Sequence, residues 1–455
     1  METIYQQNYD VVIAGGGVSG SVAAIAAGRL GVSVLVIEQA GYLGGTLTGC
    51  GVGPMMTFHA GEKQIIKGIM QEIVEELVKR GYSAGHVKDT TQYISYLTPF
   101  SSEGLKLVLD DMVKGAGCEV LFHTFIGGTE TKGGKITDLC CCNKDGINTV
   151  HGKVFVDATS DGDVAAFSGA RMTKGRMEDG AAQPMTMNMK YCSVDTNCLK
   201  SFLYGHLDEF PRLKDHLALI QSATPLALAG FDRVFQQAKE NGEISIPRED
   251  ILFFETSQKN EYIINTTRIL DHDSTNAASL SDAEMVGRRQ CAELDAFLRK
   301  NVPGFRNAVL EFTGPSVGVR GSRQLVGRYT LTADDIISCK TFDSIIAHSA
   351  YPIDIHNPKG EGTETTFMSE IGTYYSIPYE IMVCDDFSNL LVTGRCVSAS
   401  FEAQAAIRTT PTVGALGHAC GIAAAMAAQG DSDTRNVSIK MIQDKLKQQG
   451  AYLEI

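Results

Sequence analysis

The sequence predicts an α/β fold in which both ends of the chain build one parallel-sheet domain and the middle forms an inserted α+β domain. Three observations carry this reading. Residues 9–38 run strand, glycine turn, alanine-rich helix, strand, acid. Residues 119–156 read as three short strands with turns between them. Residues 389–428 return to the apolar, small-residue texture of the start, whereas about 172–375 have mixed polarity and less glycine. The expected division is therefore 1–171 with 376–455 as a discontinuous domain, and 172–375 as the insertion. A chain of 455 residues is long enough for two cores.

The first stretch carries chemistry. Tyr9-Asp10-Val11-Val12-Ile13-Ala14 is an apolar strand, and Gly15, Gly17 and Gly20 follow at dinucleotide spacing. Gly15 permits the sharp turn. Gly17 lets the backbone approach a pyrophosphate, and Gly20 lets helix and strand pack closely. Ser19 sits in the first turn of the helix, whose unpaired N–H groups favour an anion. Glu38 ends the second strand, where a carboxylate accepts hydrogen bonds from ribose hydroxyls and repels a 2′-phosphate. A Rossmann-like nucleotide site without NADP is expected. The bland alternative, a glycine turn in another α/β domain, gives Glu38 no task.

Gly41 to Pro54 holds six glycines and cannot form a regular element well. It suits a loop running close to a flat ligand, or a plain surface loop. Residues 62–80 have helical spacing of Ile65, Ile66, Ile69, Ile73 and Leu77, closed by Gly81. A second helix is expected over 103–114, capped by Ser101 or Ser102. Glu119–Phe125, Lys135–Cys142 and Thr149–Val156 then form the meander, with turns at Gly133-Gly134 and Asp145-Gly146. Its last strand runs into Asp157-Ala158-Thr159-Ser160-Asp161-Gly162-Asp163, an acidic turn for which a metal loop is the lesser reading.

In the insertion, helices are expected over 197–220, 225–241 and 282–300, and strands near 186–192, 251–255 and 309–312. Arg320 and Arg323, three apart, could share a face and clamp a carboxylate or phosphate, or tie a domain interface. After the strand Asn389–Val392 come Gly394-Arg395, then Thr409-Thr410-Pro411-Thr412 and a helix over Val413–Ala428. Pro411 suits its first turn. Gly414, Gly417 and Gly421 imply close packing against backbone or cofactor.

The net charge of −13 excludes a phosphate-backbone partner, so no nucleic-acid role is expected. No leader is read in Met1 to Asn8, and no run of about eighteen apolar residues suggests a membrane span. The twelve cysteines show no CxxC and no zinc spacing, which fits a cytoplasmic location.

On Gly15–Gly20, Glu38, Leu43–Thr48, Asp157–Asp163, Arg320–Tyr329, Tyr351–His356 and Leu391–Gly421, the chain resembles the FAD-dependent oxidoreductases with the glutathione-reductase type of FAD fold. The resemblance covers nearly the whole chain. It implies FAD as cofactor. Gly15, Gly17 and Gly20 would hold the pyrophosphate, and Glu38 the adenosine ribose. Gly44, Gly45 and Thr46 would line the pyrophosphate and ribityl region. Asp157-Ala158 would lie near the adenine side, and Gly394-Arg395 beside the ribityl chain. The helix after Pro411 and Thr412 would point its N-terminus at the flavin pyrimidine ring, whose reduced form is anionic there. Relatives often carry an acid where this chain has Gly321, so no role for Arg320 and Arg323 comes from the resemblance. Ser160, where relatives often have Gly, is a benign departure.

Flavin chemistry usually needs a partner proton transfer. His59, Tyr93, His348, Tyr375 and Glu402 are the candidate acids and bases, with His59 first because it follows the glycine loop. A covalent flavin link through His59 is a lesser reading. Glu402 and Arg408 bracket the turn before the last helix, and face the ring or pair with each other. The expected function is hydride transfer between a small organic, possibly anionic, molecule and non-covalent FAD. Alternatives are an electron-transfer subunit, a flavin-containing isomerase or hydratase, and an NAD-only site. No second glycine turn suggests an NAD(P)H domain, so the electron partner, like the oligomeric state, stays open.

Overall fold

The computed structural model describes residues 8–454 except 369 and 371. The N-terminal residues read above as carrying no leader lie, up to residue 7, outside the described residues. A seven-stranded sheet occupies the centre. Tyr9–Ala14 pairs in parallel with Val34–Ile37 on one side and with the end of Gly146–Asp157 on the other. Val34–Ile37 pairs in parallel with Glu119–Leu121, and Phe155–Asp157 with Leu390–Val392. Val11, Val12, Ile13, Val34 and Val36 are buried, as parallel strands covered on both faces require.

Gly146–Asp157 belongs to two pairings. Its first half is antiparallel to Lys135–Asn143, which in turn pairs with Phe125–Lys132. Gly133 and Gly134, both with φ near +60 to +73°, join the last two strands by a two-residue turn. The meander thus starts at Phe125. Glu119–Leu121, expected in it, instead edges the parallel sheet.

Helix Val18–Gly28 packs along Thr410–Gln429. A Cβ on Gly417 would stand 2.2 Å from Ser19 O, and one on Gly421 2.1 Å from Ala23 O. Those glycines let two backbones touch. Thr410–Gln429 is long and apolar enough to cross a membrane, contrary to the sequence expectation, but 89% of its apolar window is buried inside the fold. Protein covers it on all sides. The first amphipathic helix begins at Ile69 rather than 62, because Gly68 turns at φ 66° and Lys63–Gln64 pairs with His59–Ala60. Ser101 caps Ser102–Gly115 by accepting from Gly104 N.

The insertion builds a separate antiparallel sheet. Its order is Ala227–Gly230, Ile251–Glu255, Tyr262–Ile264, Met189–Cys192, Val309–Thr313. Helix Ala277–Asn301 belongs to the same unit, with Leu294, Phe297 and Leu298 in a core shared with Tyr191, Phe231, Phe253 and Phe305. Two expected helices are interrupted. The run over 197–220 splits into Thr196–Gly205 and Leu217–Ser222, and 225–241 opens with strand Ala227–Gly230 before helix Asp232–Glu240. The insertion's core spans Met185 to Val317, while Leu331, Ile336, Ile345 and Ile353 already pack in the first core. The chain therefore returns to the first unit well before residue 375. On the way it forms the hairpin Ile353–His356 with Thr363–Thr366.

Candidate functional site

A cavity of about 970 Å³ runs from the N-terminal glycine turn to the inserted sheet. At one end lie Gly17, Val18, Ser19, Gly45 and Thr46. Gly15 holds φ +100°, and a Cβ there would meet Ala158 O at 2.4 Å. A Cβ on Gly20 would meet Gly15 O at 1.9 Å. Both glycines serve the turn itself and lie outside the lining. Gly17 differs, because a Cβ there would find only Gly45 Cα, at 3.9 Å. The second glycine loop runs alongside, with Gly44 N donating to Gly16 O at 2.9 Å and Gly44 at φ +104°. The N-terminus of Val18–Gly28 has no side-chain cap. Two facing glycines, open space and free helix N–H groups form an anion cradle.

Glu38 lies beside this cradle, outside the cavity lining. It accepts from Gly16 N at 2.6 Å and Ala40 N at 2.8 Å. Burial raises its pKa against those bonds. Asp157 is fully buried and holds Thr159 and Ala165 N, whereas its neighbour Ala158 lines the cavity. Gly394 and Arg395 line it too. Arg395 Nη2 meets Asp161 Oδ1 at 2.8 Å, and its buried Nε has no protein partner. Burial opposes the Asp161 charge, but Arg395 and the hydroxyls of Ser322 and Ser274 hold its pKa low. Ser19 Oγ and Thr393 Oγ1, 2.8 Å apart, tie the two segments. Thr409, Thr410 and Val413 bring the start of the last long helix to the wall, again with no side-chain cap. Pro411 stands in its first turn, and Thr412 Oγ1 turns away to Ser349 Oγ at 2.9 Å.

The other end carries both charges. Arg212, Arg248, Arg320 and Arg408 line it together with Asp232, Glu249, Asp250 and Asp354, and Arg248, Arg320 and Arg408 come from three separate segments. Arg320 has no acidic side chain in ion-pair range among the described residues; its Nη1 donates to Pro184 O. Burial, and then Arg408, Arg248 and Arg268, push its pKa well below the ordinary value. Arg248 is buried; its Nε and Nη1 make no hydrogen bond, although Nε stands 3.7 Å from Asp250 Oδ1, and burial followed by Arg268 brings its pKa to about 10. Arg408 Nη2 reaches Asp354 Oδ2 at 3.3 Å. The same oxygen takes the Tyr351 hydroxyl at 3.2 Å and stands 3.4 Å from His356 Nε2. Burial raises the Asp354 pKa, but the Arg408 charge and the hydrogen bonds reaching the carboxyl outweigh it and keep it ionised. Tyr93 joins this wall and meets Tyr351 edge-on at 5.9 Å.

Several expected residues lie elsewhere. His59 is buried against Tyr96 and His86, with ring centroids 4.4 and 4.8 Å away, outside the lining. His348 Nε2 meets Glu454 O at 3.0 Å, also outside. Tyr375 donates to Tyr351 O behind the wall. Arg323 pairs with Asp163 at 2.7 Å, so it shares no clamp with Arg320. Glu402 does not line the cavity, and Arg408 pairs with Asp354 in its place. Asp354 and His356 stood in the sequence reading only as part of the Tyr351–His356 segment, with no role assigned, and Arg248 had no place in it. Arg248 lies about a hundred residues away along the chain and joins them only in space.

Residues 10–446 match the family described as FAD dependent oxidoreductase, and the chain belongs to that family. The protein is an oxidoreductase whose cofactor is FAD. A stretch of 117 residues is 34% identical to dihydrolipoamide dehydrogenase of Chaetomium thermophilum, covering 25% of this chain and 22% of that one. The chain thus spans about a fifth of that relative. Among solved structures, it is similar to a geranylgeranyl bacteriochlorophyll reductase-like protein from Thermoplasma acidophilum. The identity is 14%, over 97% of this chain and 83% of that one, with a TM-score of 0.48. It is similar also to p-nitrophenol 4-monooxygenase of Pseudomonas putida, at 10% identity over 98% and 84%, with a TM-score of 0.47. At these scores the likenesses say nothing of the reaction.

Proposed function

We propose that the protein transfers a hydride between a small carboxylate-bearing organic molecule and non-covalently held FAD. The observation that carries this reading is Arg320, a half-buried cavity cation without an acidic side chain in ion-pair range among the described residues. A partly desolvated charge of this kind is stabilised by an opposite charge, and a substrate carboxylate supplies one.

Gly17, Ser19, Gly45 and Thr46 would hold the FAD pyrophosphate, and Gly394 and Arg395 the chain leading from it. Bound FAD supplies the two-electron chemistry. Arg320, Arg248 and Arg408 bind and orient the anion. The Tyr351 hydroxyl, bonded to Asp354, and the Tyr93 hydroxyl on the same wall hold or pass the proton that accompanies the hydride. Non-covalent attachment is supported by the wall, where no cysteine occurs among the lining residues and His59 lies away from them.

The test is an anaerobic screen of carboxylic acids against their neutral amides, read as bleaching or perturbation of the flavin spectrum. Acids alone should act, and Arg320→Gln should lose the response. Amides acting as well as acids would overturn the reading.

A further inference from the structure

Arg268 lies just behind the cavity wall and is 1% exposed. Its backbone is clamped by Gln290 of the long inserted helix, whose Oε1 accepts from Arg268 N and whose Nε2 donates to Arg268 O, both at 2.9 Å. Its guanidinium crosses to the hairpin. Nη1 donates to Gly360 O at 3.1 Å and Gly362 O at 3.0 Å. Nη2 donates to Thr363 Oγ1 at 2.9 Å and meets His356 Nδ1 at 3.3 Å. A guanidinium has donors only, so towards Arg268 His356 Nδ1 is the acceptor; Thr363 Oγ1, also 3.3 Å from that nitrogen and itself accepting from Arg268, is free to donate its hydroxyl to it. The imidazole proton then sits on Nε2, the nitrogen 3.4 Å from Asp354 Oδ2.

We infer that Arg268 is a positioning residue: it locks His356 as the neutral Nε2–H tautomer, which directs that proton at Asp354 and thereby holds the carboxylate that orients Arg408 and the Tyr351 hydroxyl. The inference rests on the proposed anionic site and adds a second step to it. A continuous chain of contacts, Gln290–Arg268–His356–Asp354–Arg408, joins the inserted helix to the end of helix Phe401–Ile407. His356, although it lines the cavity, has both ring nitrogens occupied and exchanges no proton with substrate. The charged groups around the ring agree with the neutral form. Burial first, then Arg320, with Arg248 in the same sense, outweighs Asp354.

Side-chain ¹⁵N NMR of the FAD-loaded full chain, labelled at histidine and assigned with His356→Gln, reads the tautomer without any substrate. Wild-type protein should show a bare Nδ1 and a protonated Nε2 at His356 wherever it is folded. Arg268→Met, which keeps the apolar stem, should release the ring to mixed tautomers or to the imidazolium. Arg268→Lys, which keeps a cationic donor, should restore the single form. Asp354→Asn should leave Nδ1 bare, because Arg268 sets the tautomer. An Nδ1–H signal in the wild type would overturn the inference, as would an Arg268→Met spectrum unchanged from it or a tautomer that follows Asp354→Asn. Because no substrate enters, a failed carboxylate screen and a failed tautomer lock are separate results.

Discussion

Gly17 and Gly45 face each other at one end of the cavity: a Cβ on Gly45 would stand 2.9 Å from Gly17 Cα, while one on Gly17 would meet nothing nearer than Gly45 Cα at 3.9 Å. The gap at Gly17 is space kept for a ligand rather than for packing. Gly17 also holds φ −60°, which any residue adopts. Gly17→Val should therefore fold with a melting midpoint close to that of wild-type apoprotein. Gly20→Ala should not, because its Cβ would lie 1.9 Å from Gly15 O, and overpacking costs about 1–3 kcal/mol or more. Differential scanning calorimetry of the two apoproteins distinguishes them.

The unpaired Arg320 in the cavity wall predicts a charge-selective binding loss. Arg320→Gln should weaken carboxylate binding by about 10–100-fold, since a hydrogen bond to a charged group contributes roughly 1.5–3 kcal/mol. Arg323→Gln, which breaks an ion pair with Asp163 outside the cavity, should leave that affinity unchanged. Titration of the flavin absorbance reads both.

The same substitution should have opposite signs at two helical glycines. Gly417→Ala drives a methyl into Ser19 O and should lower the unfolding free energy by about 1–3 kcal/mol. Gly115→Ala, at the end of Ser102–Gly115 with nothing within 4 Å of its Cβ, should raise it by about 0.4–1 kcal/mol. Urea midpoints give the comparison.

Buried neutral histidines make stability fall in mild acid. His418 bonds Gln449 Oε1 at 2.8 Å, and burial lowers its pKa from 6.5 to about 4. Between those values the unfolded chain takes a proton that the native chain refuses, so stability is full above 6.5 and is lost as pH falls toward 4. Burial places His348 in the same window. Asp163, raised by burial to about 6, acts in the opposite sense there. The difference between wild type and His418→Gln isolates one histidine: the variant should lose less stability between pH 7 and pH 5.

Much of this was legible in the sequence. Continuous apolar strands around fixed glycines left few alternatives for residues 9–38, and the glycines of the helix near the end pointed to close packing against backbone or cofactor, of which the structure shows the backbone of Val18–Gly28. Ala227-Leu228-Ala229-Gly230 was not legible, since good helix formers become a strand there by pairing with Ile251–Phe254. The Arg320–Arg323 clamp failed for a related reason. Spacing of three shares a face only on a helix, and Arg323–Leu325 is a strand paired with Met172–Lys174. The cations that do surround Arg320 come from Arg248 and Arg408, whose approach depends on the insertion folding back over the sheet.

The most direct test of the account is the visible spectrum of purified protein and of its supernatant after acid precipitation, for wild type and Gly17→Val. A flavin spectrum that moves to the supernatant as FAD is expected for the wild type, and a folded but colourless protein that takes up no added FAD for Gly17→Val. Flavin remaining in the pellet, or Gly17→Val retaining FAD as well as the wild type, would contradict it.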